Sequence, residues 1–404
     1  MEWMGGTLSR RRSLTMTHPD IFDFYRLDDL LTDEQRLVRD SVRQWVADRW
    51  LPGVAEHFEA GTFPRELIPE MGRLGVLGPT LPEEYGGAGI DNVAYGLAMQ
   101  ELERGDSGLR SCASVQGGLV MYPIHTWGSE AQKEQWLPRL ARGEAVGCFG
   151  LTEPDHGSDP GGMETRADPD GKGWRLRGAK MWITNGTIAD VAVVWARTPE
   201  GIGGFLVEKG TPGFSAPETK RKLSLRASVT SELVFDDVLL PAEARLPGAA
   251  GLRCPLACLT QARYGIAWGA IGAAQDCLAC ARDHQLGRTQ FGRPLASFQL
   301  QQAKFAEMLT RITAAQLICH RLGTLKDRGR MHHAQVSLAK RNNVLMALET
   351  AREARQMLGA GGISLEYPVI RHLANLESVI TYEGTHDIHT LVLGQAVTGL
   401  PAYK

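Results

Sequence analysis

The hydrophobic period changes twice along this 404-residue chain, and that constrains the fold more than any other feature of the sequence. From about residue 32 to about 142 apolar residues recur at helical spacing, interrupted by glycine- and proline-bearing loops. From about 146 to 246 they alternate or form short β-branched and aromatic runs, such as Trp174 to Ile183, Val191 to Ala196, Gly204 to Glu208 and Ser231 to Phe235. From about 252 onward the helical period returns in long Ala- and Leu-rich segments, at about 255–285, 297–326, 332–358 and 385–398. Such a chain is expected to be α+β and mainly α: a leader and arm over 1–27, an α-helical domain over 28–145, a central β-barrel or sandwich over 146–250, and a four-helix bundle over 251–404. The small-residue content of the last segments suits tight packing, within the bundle and against other copies of the chain.

Local signals sharpen the picture. Thr32 with Gln35 makes a capping box, and Leu37, Val38, Val42, Trp45, Val46 and Trp50 fall on one face of the helix that follows. Leu81 to Gly89 is a loop, and Gly105-Asp106-Ser107-Gly108 a bend with Arg110 and Ser111 just beyond it, ahead of a helix.

Several function classes are disfavoured. Net charge is −2 with scattered basic residues, which argues against a nucleic-acid surface. No apolar run approaches the roughly 20 residues of a membrane span. Arg10-Arg11-Arg12 loosely resembles a transit peptide, while Met16 is an equally good start, so the expected location is the cytoplasm or, in a eukaryote, the mitochondrial matrix. Seven cysteines, an odd number, point to free thiols. Cys277/Cys280, Cys254/Cys258 and His386/His389 lie in helical text, so no metal site is expected. Neither G-x-G-x-x-G after a strand nor a P-loop is present, so any nucleotide cofactor is held in another way.

Four stretches carry chemistry. In Tyr382-Glu383-Gly384-Thr385 an aromatic ring can strip water from a carboxyl while glycine admits a ligand to the backbone, which makes Glu383 a candidate general base with a raised pKa. By itself the stretch reads sooner as a solvated turn before the helix that begins near Asp387, since exposed Glu is the default. Cys148 to Asp159, with Trp182-Ile183-Thr184-Asn185-Gly186, supplies hydroxyls, N–H groups and an indole, as a flavin ring requires, although each could be a plain strand connection. Arg288 to Leu295 with Gln299 is a polar break between helices where an Arg could meet a pyrophosphate. Arg110 could clamp a carboxylate, or pair at the surface with Glu103 or Asp106.

Together these stretches resemble the acyl-CoA dehydrogenase family from about residue 28 to the C-terminus. Leu81 to Gly89, Gly150 to Ser158, Trp182 to Asn185, Arg288 to Pro294, Gln356 to Gly362 and Tyr382 to Thr385 follow in the family's order and spacing. The resemblance implies an α-domain, a β-domain and a four-helix bundle assembled as a homotetramer, with FAD as cofactor and electron-transfer flavoprotein as electron acceptor. It makes Glu383 the base. FAD would be held by Phe149, Gly150, Leu151, Thr152, Gly157, Ser158, Trp182, Ile183, Thr184, Arg288, Phe291, Gln299, Gln356, Met357, Leu358, Gly359, Ala360 and Thr385. The acyl-CoA would meet Ser158, Leu256, Arg263, Tyr382 and Gly384. Ala262 stands where members with a displaced base carry Glu.

Glu101 to Ser111, Ala262 to Gly269, Lys340-Arg341-Asn342-Asn343 and Thr381 to His389 are similar to the glutaryl-CoA branch. That likeness implies a distal substrate carboxylate held by Arg110 beside Ser111, and oxidative decarboxylation to crotonyl-CoA and CO2. One departure is Ala360, where the branch usually has glycine. Alternatives that share the motifs are a non-decarboxylating or a short-chain dehydrogenase. An oxidase of the same fold is expected to be longer, and a DNA-binding relative would need a basic extension.

Overall fold

The computed structural model describes residues 20–402, so the arginine-rich leader lies outside the described residues. The first long helix, Asp33–Trp45, carries the expected capping box at Thr32 and runs on through a π-helical turn, Val46–Trp50. Val42, Val46 and Trp50 enter the core, whereas Leu37 is 67% exposed, so the buried face is narrower than the sequence pattern implies. The Asn92–Gly105 helix is buried along almost its whole length, because the Arg253–Gly287 helix packs directly upon it. Gly272 permits that approach: a Cβ there would lie 1.9 Å from the Gln100 carbonyl oxygen.

Asp106 alone breaks the chain between the Asn92–Gly105 and Ser107–Ser114 helices. Its backbone is extended, and its carboxylate accepts from Gly108 N at 2.6 Å, which caps the second helix. Arg110 and Ser111 therefore sit inside this short helix and not ahead of one, contrary to the reading of the bend from sequence.

The middle of the chain forms one seven-stranded sheet. The short strand Gly147–Gly150 runs parallel to Val191–Thr198, which also pairs with Gly201–Glu208, and Gly173–Thr184 pairs antiparallel with both Arg166–Asp170 and Thr230–Leu240. Ala192, Val194 and Phe205 share one core with Leu176, Leu233, Phe235 and Val238 from the far side of the sheet, as a barrel-like fold of the sheet requires. Val191, Val193 and Trp195 alternate to the opposite face and pack on helical residues such as Val120, Ile124 and Leu137.

The C-terminal part consists of the helices Arg253–Gly287, Gln299–Asp327, His333–Met357 and His386–Thr398, with a further helix, Val369–Val379, that the reading of periods passed over. Val369, His372, Leu376 and Val379 are buried on it, a helical spacing present in the sequence but shortened by Pro368 on one side and the Thr381–Thr385 turn on the other. That turn, between two helices, holds the candidate base.

Candidate active site

Four helices deliver side chains to the turn at Tyr382, Glu383 and Gly384. Glu383 has φ 52° and Gly384 φ 90°, so two successive residues are left-handed. For a glutamate that conformation is strained by roughly 1 kcal/mol or more, and it persists only where neighbours impose it. Here Arg263, on the Arg253–Gly287 helix, donates from Nε to the Glu383 carbonyl at 2.6 Å. Lys340, on the His333–Met357 helix, donates to the carbonyls of Gly384, at 2.7 Å, and of Tyr382.

The other side of the turn faces the Ser107–Ser114 helix. Arg110 is fully buried and donates from Nε to Glu103 Oε2 at 2.6 Å and from Nη2 to the Tyr382 hydroxyl. Ser107 Oγ donates to Glu103 Oε1 at 2.8 Å, and Ser111 Oγ lies 3.3 Å from the same Tyr382 hydroxyl. Arg110 thus pairs with Glu103, but in the interior and not at the surface. Its Nη1 makes no hydrogen bond within the described residues.

Glu383 is half-buried as a residue, yet its Oε2 is out of reach of water and makes no hydrogen bond among the described residues. Burial raises its pKa above the ordinary 4.5, against the pull of Lys340, Arg110 and Arg263. Burial pushes Lys340 down to about 7, while Glu383 works the other way. The Tyr382 hydroxyl rises to about 12, chiefly by burial. His389 is buried beside Gly384 with neither ring nitrogen partnered, and burial lowers it to about 3, so it stays neutral.

The residues expected to hold a flavin fall into two groups. In the first, a register shift between Lys180 and Ile183 lets the strand bulge at Met181 and Trp182. Trp182 takes φ 62°, which turns its indole outward to 58% exposure, while Met181 N bonds to Thr152 O at 2.9 Å and joins the loop to the bulge. Thr152 and Thr184 are half-buried beside it. Phe149, Leu151 and Ile183 send their side chains into the cores, so only their backbone can meet a ligand. Gly157 and Ser158 are exposed in the loop.

In the second group, Arg288, Phe291 and Gln299 surround a small exposed hairpin, Thr289–Gln290 with Arg293–Pro294, whose turn puts Phe291 at 92% exposure. Gln356, Gly359 and Ala360 are exposed at the end of the His333–Met357 helix, while Met357 and Leu358 are buried in the bundle. Lys304 bonds to Gln356. No hydrogen bond or ring contact among the described residues joins the two groups. Thr385 caps the last helix by accepting from Ile388 N at 3.2 Å, and Leu256 is exposed near the start of the first bundle helix.

Models of the acyl-CoA dehydrogenase N-terminal, middle and C-terminal domains match residues 32–144, 148–238 and 249–398. The chain belongs to the acyl-CoA dehydrogenase family. A short-chain specific acyl-CoA dehydrogenase of Megasphaera elsdenii is 37% identical over 92% of this chain and 99% of its own length. The crystal structure of a glutaryl-CoA dehydrogenase from Mycobacterium smegmatis is 56% identical, with a TM-score of 0.94 over 96% of this chain and 100% of that one. A second structure of a glutaryl-CoA dehydrogenase from that organism, in complex with FADH2, is 53% identical, with a TM-score of 0.94 over the same shares of the two chains.

Acyl-CoA dehydrogenases are FAD enzymes, and this chain's residues fit the group. The outward indole of Trp182 on a left-handed bulge offers a flat apolar face, Thr152 and Thr184 border it, and Glu383 Oε2 is a carboxyl oxygen without a hydrogen-bond partner among the described residues. Two members of the site escaped sequence reasoning as site residues. Lys340 stood in a stretch whose likeness was noted without a role, and Glu103 was weighed only as a surface partner. A buried lysine in helical text looks like any solvated one until its helix is placed.

Proposed function

We propose that this acyl-CoA dehydrogenase oxidises glutaryl-CoA and releases CO2, giving crotonyl-CoA. The observation that carries the reading is Arg110. An arginine wholly inside the protein, next to the turn of the candidate base, has Nε on Glu103 and Nη2 on Tyr382 but Nη1 without a hydrogen-bond partner among the described residues. For a plain acyl chain such a group would only add desolvation cost. For a substrate ending in a carboxylate it offsets several kcal/mol of burial. The 56% identity to a glutaryl-CoA dehydrogenase supports the same assignment.

Bound FAD supplies the hydride acceptor. Glu383 removes the α-proton of the thioester, and its raised pKa suits a base that works near neutral pH. Developing charge on the thioester oxygen requires donors, which the backbone N–H of Glu383 can provide, since no hydrogen bond within the described residues uses it. With the substrate oxidised, the C–C bond to the distal carboxyl breaks, CO2 leaves with that carbon, and the electron pair passes into the conjugated thioester. Protonated Glu383 returns the proton at the γ-carbon. The flavin-binding groups split within one chain are brought together if copies assemble, as in a homotetramer. Electron-transfer flavoprotein would then reoxidise the cofactor, and the seven free thiols suit a reducing compartment.

Short-chain specificity is the second reading, favoured by the Megasphaera relative and by Glu103, which already balances the Arg110 charge. Anaerobic reduction of the FAD-loaded protein by glutaryl-CoA and by butyryl-CoA, followed by product identification, decides between them. Arg110→Met should lower kcat/KM for glutaryl-CoA by about 10²-fold or more, the loss of one buried charge pairing, with butyryl-CoA much less affected. Equal losses on both substrates would leave the carboxylate assignment untenable.

A further inference from the structure

The His333–Met357 helix places Lys340 at 1% exposure without an ion pair among the described residues. An ammonium has three N–H donors and no acceptor. All three of its hydrogen bonds go to consecutive main-chain carbonyls, those of Tyr382, Glu383 and Gly384, the last at 2.7 Å and that of Glu383 at 3.5 Å. Three successive carbonyls converge on one point only if the chain curls back on itself, and the left-handed pair at 383 and 384 is that curl. Lys340 therefore sits in the turn as a bound cation would.

We propose that Lys340 is a positioning residue for Glu383: its ammonium holds the left-handed turn that aims the carboxyl, and its charge favours the carboxylate form. This rests on the reading of Glu383 as the base. The two halves of the role separate by chemistry, because a neutral amide at 340 keeps a donor but not the charge.

The groups around Glu383 leave a clear window for a test. Arg263 and Arg110 are permanent charges, the latter ion-paired with Glu103. Burial holds Tyr95 and Tyr382 near 12 and His389 near 3. His386 is lowered by burial, then by Arg341 and more weakly by Lys340, so its imidazole also shifts in the Lys340 variants. The readout is therefore a carboxylic acid band, to which no imidazole or ammonium contributes.

The experiment compares FAD-loaded wild type, Lys340→Met, Lys340→Gln and Glu383→Gln. Infrared difference spectra against pH follow the carboxylic acid C=O band that is absent from Glu383→Gln. Its midpoint should lie about one pH unit higher in both Lys340 variants, since a nearby cation is lost. Anaerobic flavin reduction by glutaryl-CoA, per bound flavin, should fall about 10- to 100-fold in Lys340→Met, with the substrate Kd within about twofold, and should partly recover in Lys340→Gln. If the Met variant loses FAD, the Gln variant carries the comparison. An unchanged midpoint, or per-flavin rates equal to wild type, overturns the proposal. Flavin reduction by Glu383→Gln at the wild-type rate would instead remove Glu383 as the base, and the infrared midpoints would still decide whether Lys340 governs its carboxyl.

Discussion

Exchanging Glu383 for Gln replaces one carboxyl oxygen by an NH2 group and leaves the shape of the turn, so the protein should purify yellow. Without a base its flavin should bleach with glutaryl-CoA about 10² to 10⁴ times more slowly than wild type, the usual contribution of a positioned proton acceptor. Rapid anaerobic mixing measures this, and bleaching at the wild-type rate would remove the residue from its role. The pH profile tests the same group independently. Burial favours its neutral acid and catalysis needs the carboxylate, so flavin reduction should increase as pH rises through a midpoint clearly above the ordinary 4.5. A profile already flat from pH 5 upward would mean a carboxyl in water. Its neighbours Tyr382 and Gly384 made the carboxyl a candidate, but only the order of motifs along the rest of the chain set it above a solvated turn. What held it was not legible: Lys340 and Arg263 come from helices 43 and 120 positions away in sequence, and no local pattern records a contact at that separation.

Elements show the same division. The capping box at Thr32 could be written from four residues, because its bonds close within one turn of helix. The role of Asp106 could not. One of its carboxylate oxygens caps the helix carrying Arg110, and the other accepts from Arg371 at 2.7 Å and from Asn375 at 2.8 Å, both on the Val369–Val379 helix that leads to the Glu383 turn. The pair Asp106–Arg371 is buried on both sides, so Asp106→Ala leaves an unpaired guanidinium inside the protein and removes a cap. The expected loss is about 3–5 kcal/mol, measurable as a lower urea midpoint. The variant should also lose selectivity for glutaryl-CoA over butyryl-CoA, because the helix bearing Arg110 is no longer tied to the segment bearing Glu383. A shift in urea midpoint below 1 kcal/mol in equivalent stability would show that the tie is dispensable.

At the scale of the molecule, the order helix, sheet, helix was plain from the change of period, whereas the single core that the N-terminal helices share with the C-terminal ones was not. How the domains would share a ligand was not plain either, because no hydrogen bond or ring contact among the described residues joins the two groups of candidate flavin residues. Trp182 and the threonines belong to the sheet, while Phe291, Arg288 and Gln299 project from the far end of the bundle. Phe291 at 92% exposure, with Leu300 at 79% nearby, is apolar surface of the kind that proteins cover with a partner. If a second copy supplies that cover, Phe291 completes the cofactor site of its neighbour, and binding of FAD and assembly become one equilibrium. Phe291→Asp introduces a charge where an apolar contact is expected and disturbs no core, since the side chain is 92% exposed and its ring contact is with Phe298. The variant should remain folded by circular dichroism, sediment as a smaller species than wild type, and lose FAD on gel filtration. Because the same groups bind cofactor and partner, added FAD should restore part of the larger species. A variant that keeps its full assembly and its yellow colour would mean that the bundle end is an ordinary surface and that each chain holds FAD alone.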